Sequence, residues 1–208
     1  FLYWKIKPEN RNAYQFYEFV QNYHQRDASH CPRLIDIPEH EFVAVLDGQQ
    51  RVSSLNIGLN GSYHQKIAGK WWSSDDAFPE KLLYLNLLGE PNLDEGTEYD
   101  FQFLTKEKAK NSNNTAHWFL VSRSMTEDLD DLTDELDEYI DDKSLVKIAR
   151  NNIRLLFRRI HDKPLISYYE EENQSLERVL SIFIRMNSGG TPLSYSDLLL
   201  SIAVAQWS

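Results

Sequence analysis

Phe42-Val43-Ala44-Val45-Leu46-Asp47-Gly48-Gln49-Gln50-Arg51, followed by Val52-Ser53-Ser54-Leu55, is the stretch that decides how this 208-residue chain is read. The apolar run Phe42–Leu46 suits a strand, and Val52–Leu59 has helical character. Between them, Asp47 to Arg51 is expected to form the turn. Such a corner presents free backbone N–H groups and the positive end of a helix dipole to an anion. Gly48 allows an unusual dihedral or a close approach of ligand to backbone. Arg51 carries a fork of donors suited to phosphate. Asp47, Gln49 and Gln50 can hydrogen-bond a base, a sugar or a metal-bound water. The bland reading is an ordinary polar turn, since Asp-Gly is a common turn signal.

A second glycine-containing stretch lies near the other end: Ile182-Phe183-Ile184-Arg185-Met186-Asn187-Ser188-Gly189-Gly190-Thr191-Pro192-Leu193-Ser194, then Asp197-Leu198-Leu199. In structural terms its glycines end one helix and Pro192 precedes the next, with Ser194 and Asp197 as a capping-box-like start. In functional terms it is a backbone-rich loop closing on a phosphate. Together the two blocks, in this order, resemble the GmrSD-type restriction-endonuclease N-terminal domain family, which is similar in fold to ParB and sulfiredoxin. The likeness spans roughly Phe1 to Ala205, but only the two blocks are distinctive.

The resemblance implies an α+β fold, with a ParB/sulfiredoxin-like mixed-sheet core followed by a mainly helical half. It implies a nucleotide-binding, nucleoside-triphosphate-hydrolysing domain of a prokaryotic DNA restriction and phage-defence protein. Asp47, Gln50 and Arg51 are then the catalytic candidates. Gly48, Gln49, Arg51, Arg185, Asn187, Gly189 and Gly190 are the phosphate- and nucleotide-binding candidates. Arg51 and Arg185 would neutralise phosphate charge and border one cleft. Asp47 is the candidate ligand of Mg2+ arriving with the triphosphate. DNA is expected as a partner through other domains or subunits. The resemblance also implies an earlier segment with a Gln-Arg pair that helps build the site. Two alternatives stand beside it: a non-catalytic sensor module that binds a nucleotide or a DNA phosphate, and a metal-dependent DNA nuclease.

Composition bounds these readings. Apolar residues make up 41% of the chain, enough for a sizeable core. No apolar run is long enough for a membrane span, and the opening residues lack the pattern of a secretory signal. Cys31 is the only cysteine, which excludes an internal disulfide and a cysteine-cluster zinc site and suits a cytoplasmic protein. The chain opens on Phe1-Leu2-Tyr3-Trp4 and stops near Trp207 in apolar sequence, so both ends are expected to be cuts in a longer protein. The net charge of −10 is concentrated in one place. Thr126–Asp142 holds ten of the 32 acidic residues and no Lys or Arg, and the remaining 22 balance the 22 basic ones. The chain is therefore no uniformly basic nucleic-acid binder.

Along the chain, helices are expected over Asn10–Tyr23, from Thr126 onward (Leu129, Leu132, Leu136, Ile140), over Ser144–His161, Leu176–Met186 and Tyr195–Trp207. Strands are expected at Leu82–Leu87 and Tyr99–Leu104 as a hairpin, at His117–Val121 and at Pro164–Tyr169, with Lys106–Thr115 as a loop. The mixed part (1–125) and the helical part (126–208) read as one continuous domain. The arginines of Ser144–His161 are expected to face the acidic helix, whose carboxylates read as a solvated face rather than a metal site. The six histidines lack metal-ligand spacing. Gly69-Lys70 is no phosphate-binding loop, because Trp71 stands where Ser or Thr belongs. Trp71-Trp72 reads as a core corner in preference to a base-stacking pair.

Overall fold

The computed structural model describes residues 1–89, 96–111 and 115–187. Its elements in chain order are β1 (Leu2–Ile6), β2 (Asn22–His24), β3 (Phe42–Asp47), α1 (Gln49–Asn60), β4 (Ser62–His64), β5 (Glu80–Asn86), β6 (Phe101–Leu104), α2 (Lys106–Ala109), β7 (Trp118–Leu120), α3 (Leu129–Asp134), α4 (Leu136–Tyr139), α5 (Lys143–His161), β8 (Tyr169–Glu171) and α6 (Leu176–Asn187). The fold is α+β, with two mixed sheets and helices. Two compact units divide the chain. The first comprises Phe1–Phe19, Cys31–Arg51 and the chain from Ile166 on; the second comprises Val20–His30 and Val52–Leu165.

In the first unit, β1 is the middle strand, antiparallel to β3 and parallel to β8. Leu2, Trp4 and Ile6 alternate with half-buried Tyr3 and Lys5, so one face of β1 is core. Trp4, Ile6 and Val179 are the buried centre, packed by Tyr14, Phe16, Phe42, Ala44, Leu46 and Leu176. Removing each such aliphatic or aromatic side chain from water contributes about 1.5–3 kcal/mol. Gln174 satisfies all its polar groups across this unit. Its amide nitrogen donates to the Lys5 and Glu172 carbonyls, and its oxygen accepts from Lys7 N–H and the Asn10 side chain.

In the second unit, β5 pairs antiparallel with β4, β6 and β7, and β2 adds parallel to β4. Leu85, Leu87, Phe119 and Val121 meet Leu132, Leu136, Ile140, Val146, Ala149 and Ile153 in one core. Helix α5 supplies Val146, Ala149 and Ile153 from a single stripe. Its start is capped by the Asp142 carboxylate, which accepts from Ser144 N–H at 2.8 Å. Its last turn carries Arg158, Arg159 and His161, favourable at the negative end of the dipole. Arg150 donates to Asp137, as expected for an arginine facing the acidic segment. Asn86, buried beside this core, accepts from Leu88 and His117 N–H and donates to Asp100 and the Thr115 carbonyl.

The hairpin of β5 and β6, the strand β7 and helices α5 and α6 match the sequence reading. Several local expectations are corrected. Asn10–Tyr23 is not a helix: Tyr14 and Phe16, two residues apart, both enter the aromatic core against Trp4 and Phe42, which requires extended chain. Lys106–Ala109 is a short helix rather than loop, because the Thr105 hydroxyl accepts Lys108 N–H and caps it. The strand expected at Pro164–Tyr169 lies at Tyr169–Glu171. The acidic segment breaks at Glu135 into α3 and α4. Trp71 is 83% exposed, and Trp72 meets the Phe78 ring edge-on at 5.4 Å. The corner is filled by Phe78 and Ala77 instead. The expected Tyr195–Trp207 helix and the Ser194–Asp197 cap lie outside the described residues.

Candidate functional site

The corner sits at the end of β3 in the first unit. The turn is tighter than expected: helix α1 already begins at Gln49, leaving Asp47 and Gly48 as the corner itself. Gly48 has φ +90°, a conformation L side chains rarely adopt. A Cβ there would lie 2.3 Å from the Phe1 ring. Glycine is thus required twice, by its dihedral and by its aromatic lid. Gln49 is tied back, its amide donating to the Val45 carbonyl at 3.0 Å.

Arg51 stands in the first turn of α1. Its Nη2 donates to Asp47 Oδ2 at 2.9 Å, and its guanidinium lies 4.4 Å from the centre of the Phe1 ring. The side chain remains 59% exposed. The first turn of α1 contains no acidic residue. A cation at the positive end of a helix is disfavoured by about 0.3–1 kcal/mol. Asp47 and the Phe1 ring offset that cost, and an incoming anion would offset more of it. The first-turn N–H groups have no partners inside the helix. Backbone donors, an exposed guanidinium and a carboxylate therefore share one corner. Gln50 is exposed on the same turn.

The second block contributes helix α6, whose Val179 joins the first unit's core beside Trp4 and Ile6. Arg185 is exposed in its last turn. Asn187 is the last residue of the helix, and Gly189 and Gly190 lie outside the described residues. Arg51 and Arg185 thus belong to the same unit. The residue that sequence reasoning missed is Phe1. Nothing in an N-terminal aromatic marks it as the lid of a glycine 47 positions away.

Among the described residues, no group of three or more His, Cys, Asp and Glu is arranged to hold a metal ion. No helix among them is long and apolar enough to cross a membrane.

These features define an α+β protein whose distinctive local device is a glycine corner between a strand and a helix N-terminus. Residues 32–204 match the family model described as GmrSD restriction endonuclease, N-terminal domain, and the chain belongs to that family. Membership places it among proteins of DNA restriction and phage defence. No curated protein matches the chain.

Proposed function

We propose that the Asp47–Arg51 corner binds the phosphates of a nucleotide, and that the intact protein hydrolyses nucleoside triphosphates in its restriction role. One observation carries this reading: an exposed arginine, oriented by Asp47 just before the helix, stands in the first turn of α1 beside first-turn N–H groups that follow a positive-φ glycine. The helix N-terminus and the remaining, exposed donors of the guanidinium suit a phosphate group. Hydrolysis of a phosphoric anhydride needs charge neutralisation and a positioned water more than a covalent nucleophile. Arg51, with Arg185 from the same unit, would neutralise phosphate charge. Gln50 and Asp47 would orient the water, and Gln49 with Gly48, Asn187, Gly189 and Gly190 would hold the phosphates. A single carboxylate fits a Mg2+ ion that arrives with its phosphates and keeps several waters. Asp47 would be its protein ligand, and the ion would supply further charge neutralisation. DNA would be engaged through other domains or subunits.

A specific observation favours the sensor alternative: Asp47 is already engaged by Arg51, and no carboxylate cluster accompanies it among the described residues. Phosphate release from nucleoside triphosphates by the full-length protein, with and without DNA, separates the two. Release with multiple turnovers supports hydrolysis. Saturable nucleotide binding with no release supports the sensor. Absence of both removes the nucleotide reading.

A further inference from the structure

We propose that the aromatic pocket between β7 and helices α3 and α4, in the second unit, binds a quaternary ammonium head group. Its lining includes the rings of Tyr84, His117, Trp118, Phe119 and Tyr139. Leu132 and Leu136 add buried aliphatic surface, and the cavity holds about 210 Å³. That is below the roughly 300–1,000 Å³ of sites for larger ligands, so a compact head group suits it. Tyr84 and Phe119 are buried, His117 and Trp118 are half-buried, and Tyr139 is 67% exposed. The His117 and Tyr139 rings stand 6.3 Å apart, tilted 42° to each other. One cation–π contact is already made here, with the Arg123 guanidinium 5.8 Å from the centre of the Phe119 ring.

Charge selects a cation. Among the described residues Arg123 is the one Lys or Arg in the lining, and two carboxylates hold it: Glu127 at 2.6 and 2.8 Å, and Glu135 at 2.7 and 2.9 Å. That trio leaves one negative charge in excess. Asp131, Asp134 and Glu138 are further exposed carboxylates on α3 and α4, and Thr126–Asp142 has no Lys or Arg to oppose them. At the β5 wall, burial first and then Glu80 and Glu107 raise the Tyr84 phenol above its ordinary range. Lys106, 3.5 Å from Glu80, offsets part of that charge. Burial keeps His117 below the ordinary histidine range, so its ring is neutral at neutral pH and adds no competing charge. The donor set narrows the cation further. Both Glu135 oxygens already accept from Arg123, and no other carboxylate lines the pocket among the described residues. A primary ammonium, with three N–H donors, would be poorly matched there. A quaternary one has no donor to satisfy and packs its methyl groups against the rings. This site is separate from the nucleotide corner and does not depend on it.

The test is isothermal titration calorimetry of the full-length protein with choline and with dimethylbutanol, its uncharged carbon isostere. Choline should saturate with a Kd of about 1 mM or tighter, and the neutral isostere should bind about tenfold more weakly or worse. Tyr139→Ala removes an exposed ring and should weaken choline by about tenfold, whereas Tyr139→Phe keeps the ring and should bind like wild type. Thermal unfolding of Tyr139→Ala should match wild type, since the side chain is mostly in solvent. A peptide carrying trimethyl-lysine names the source of the head group: tighter binding than choline assigns a protein partner, and equal or weaker binding a free small molecule. Absence of saturable choline binding would overturn the proposal, as would equal binding of the neutral isostere or undiminished binding by Tyr139→Ala. An unmethylated lysine peptide that bound as tightly as the trimethylated one would overturn the quaternary assignment.

Discussion

Gly48→Ala probes the corner most sharply. The backbone there is at φ +90°, where an L residue costs about 1–2 kcal/mol. The added Cβ would also fall 2.3 Å from the Phe1 ring, so the ring must move. That ring lies 4.4 Å from the Arg51 guanidinium, an interaction worth about 0.5–1 kcal/mol at an exposed site. The combined cost is about 2–3 kcal/mol, or a fall in Tm of roughly 5–10 °C for a chain of this size. Calorimetry of the intact protein reads it directly. A second variant separates the causes: in a Phe1→Ala background the steric part disappears, and Gly48→Ala should then cost only the backbone part, about 1–2 kcal/mol. A Tm within about 1 °C of wild type for Gly48→Ala would refute the reasoning, because it would mean that neither the dihedral nor the ring constrains this residue.

Two further outcomes follow from the second unit. Asn86→Ala should cost about 2–4 kcal/mol by chemical denaturation, since it strands the part-buried N–H groups of Leu88 and His117 that its side-chain oxygen accepts, and removes its amide's bonds to Asp100 and the Thr115 carbonyl. His117 is held below the ordinary histidine range by burial. Its unfolded form therefore binds a proton first as pH falls, so stability is full above the unfolded value near 6.5 and declines below it. Between about pH 7 and 5 the Tm of His117→Asn should fall less than that of wild type, and identical slopes would count against the burial argument.

How far the sequence carries the fold depends on the range of the forces involved. Phe42–Asp47, the Leu82–Leu104 hairpin and α5 were legible because each has a clean period, two for the strands and the Val146-Ala149-Ile153 stripe for the helix. Asn10–Tyr23 misled because Tyr14, Tyr17 and Val20 happen to suit a helical face as well. The contacts of Tyr14 and Phe16 with Trp4 and Phe42 decide the matter, and these are tertiary. Trp71-Trp72 misled because size alone does not say which aromatic fills a corner. Phe78 does, six residues on. At the site, the strand, the glycine and the arginine were legible from local chemistry. The Phe1 lid and the Asp47–Arg51 pair were not, because one depends on sheet pairing between β1 and β3 and the other on where the first helical turn begins.

The central claim is that Arg51 serves a phosphate rather than the fold. Its structural ties are an exposed pair with Asp47 and a ring contact with Phe1, and removing it also relieves a positive charge at the helix start. Steady-state phosphate release by the intact protein should therefore fall by about a hundredfold in Arg51→Ala, the scale of roughly 3 kcal/mol for one electrostatic contact to the transition state, while its Tm stays within about 2 °C of wild type. A folded Arg51→Ala protein with undiminished phosphate release would contradict the account.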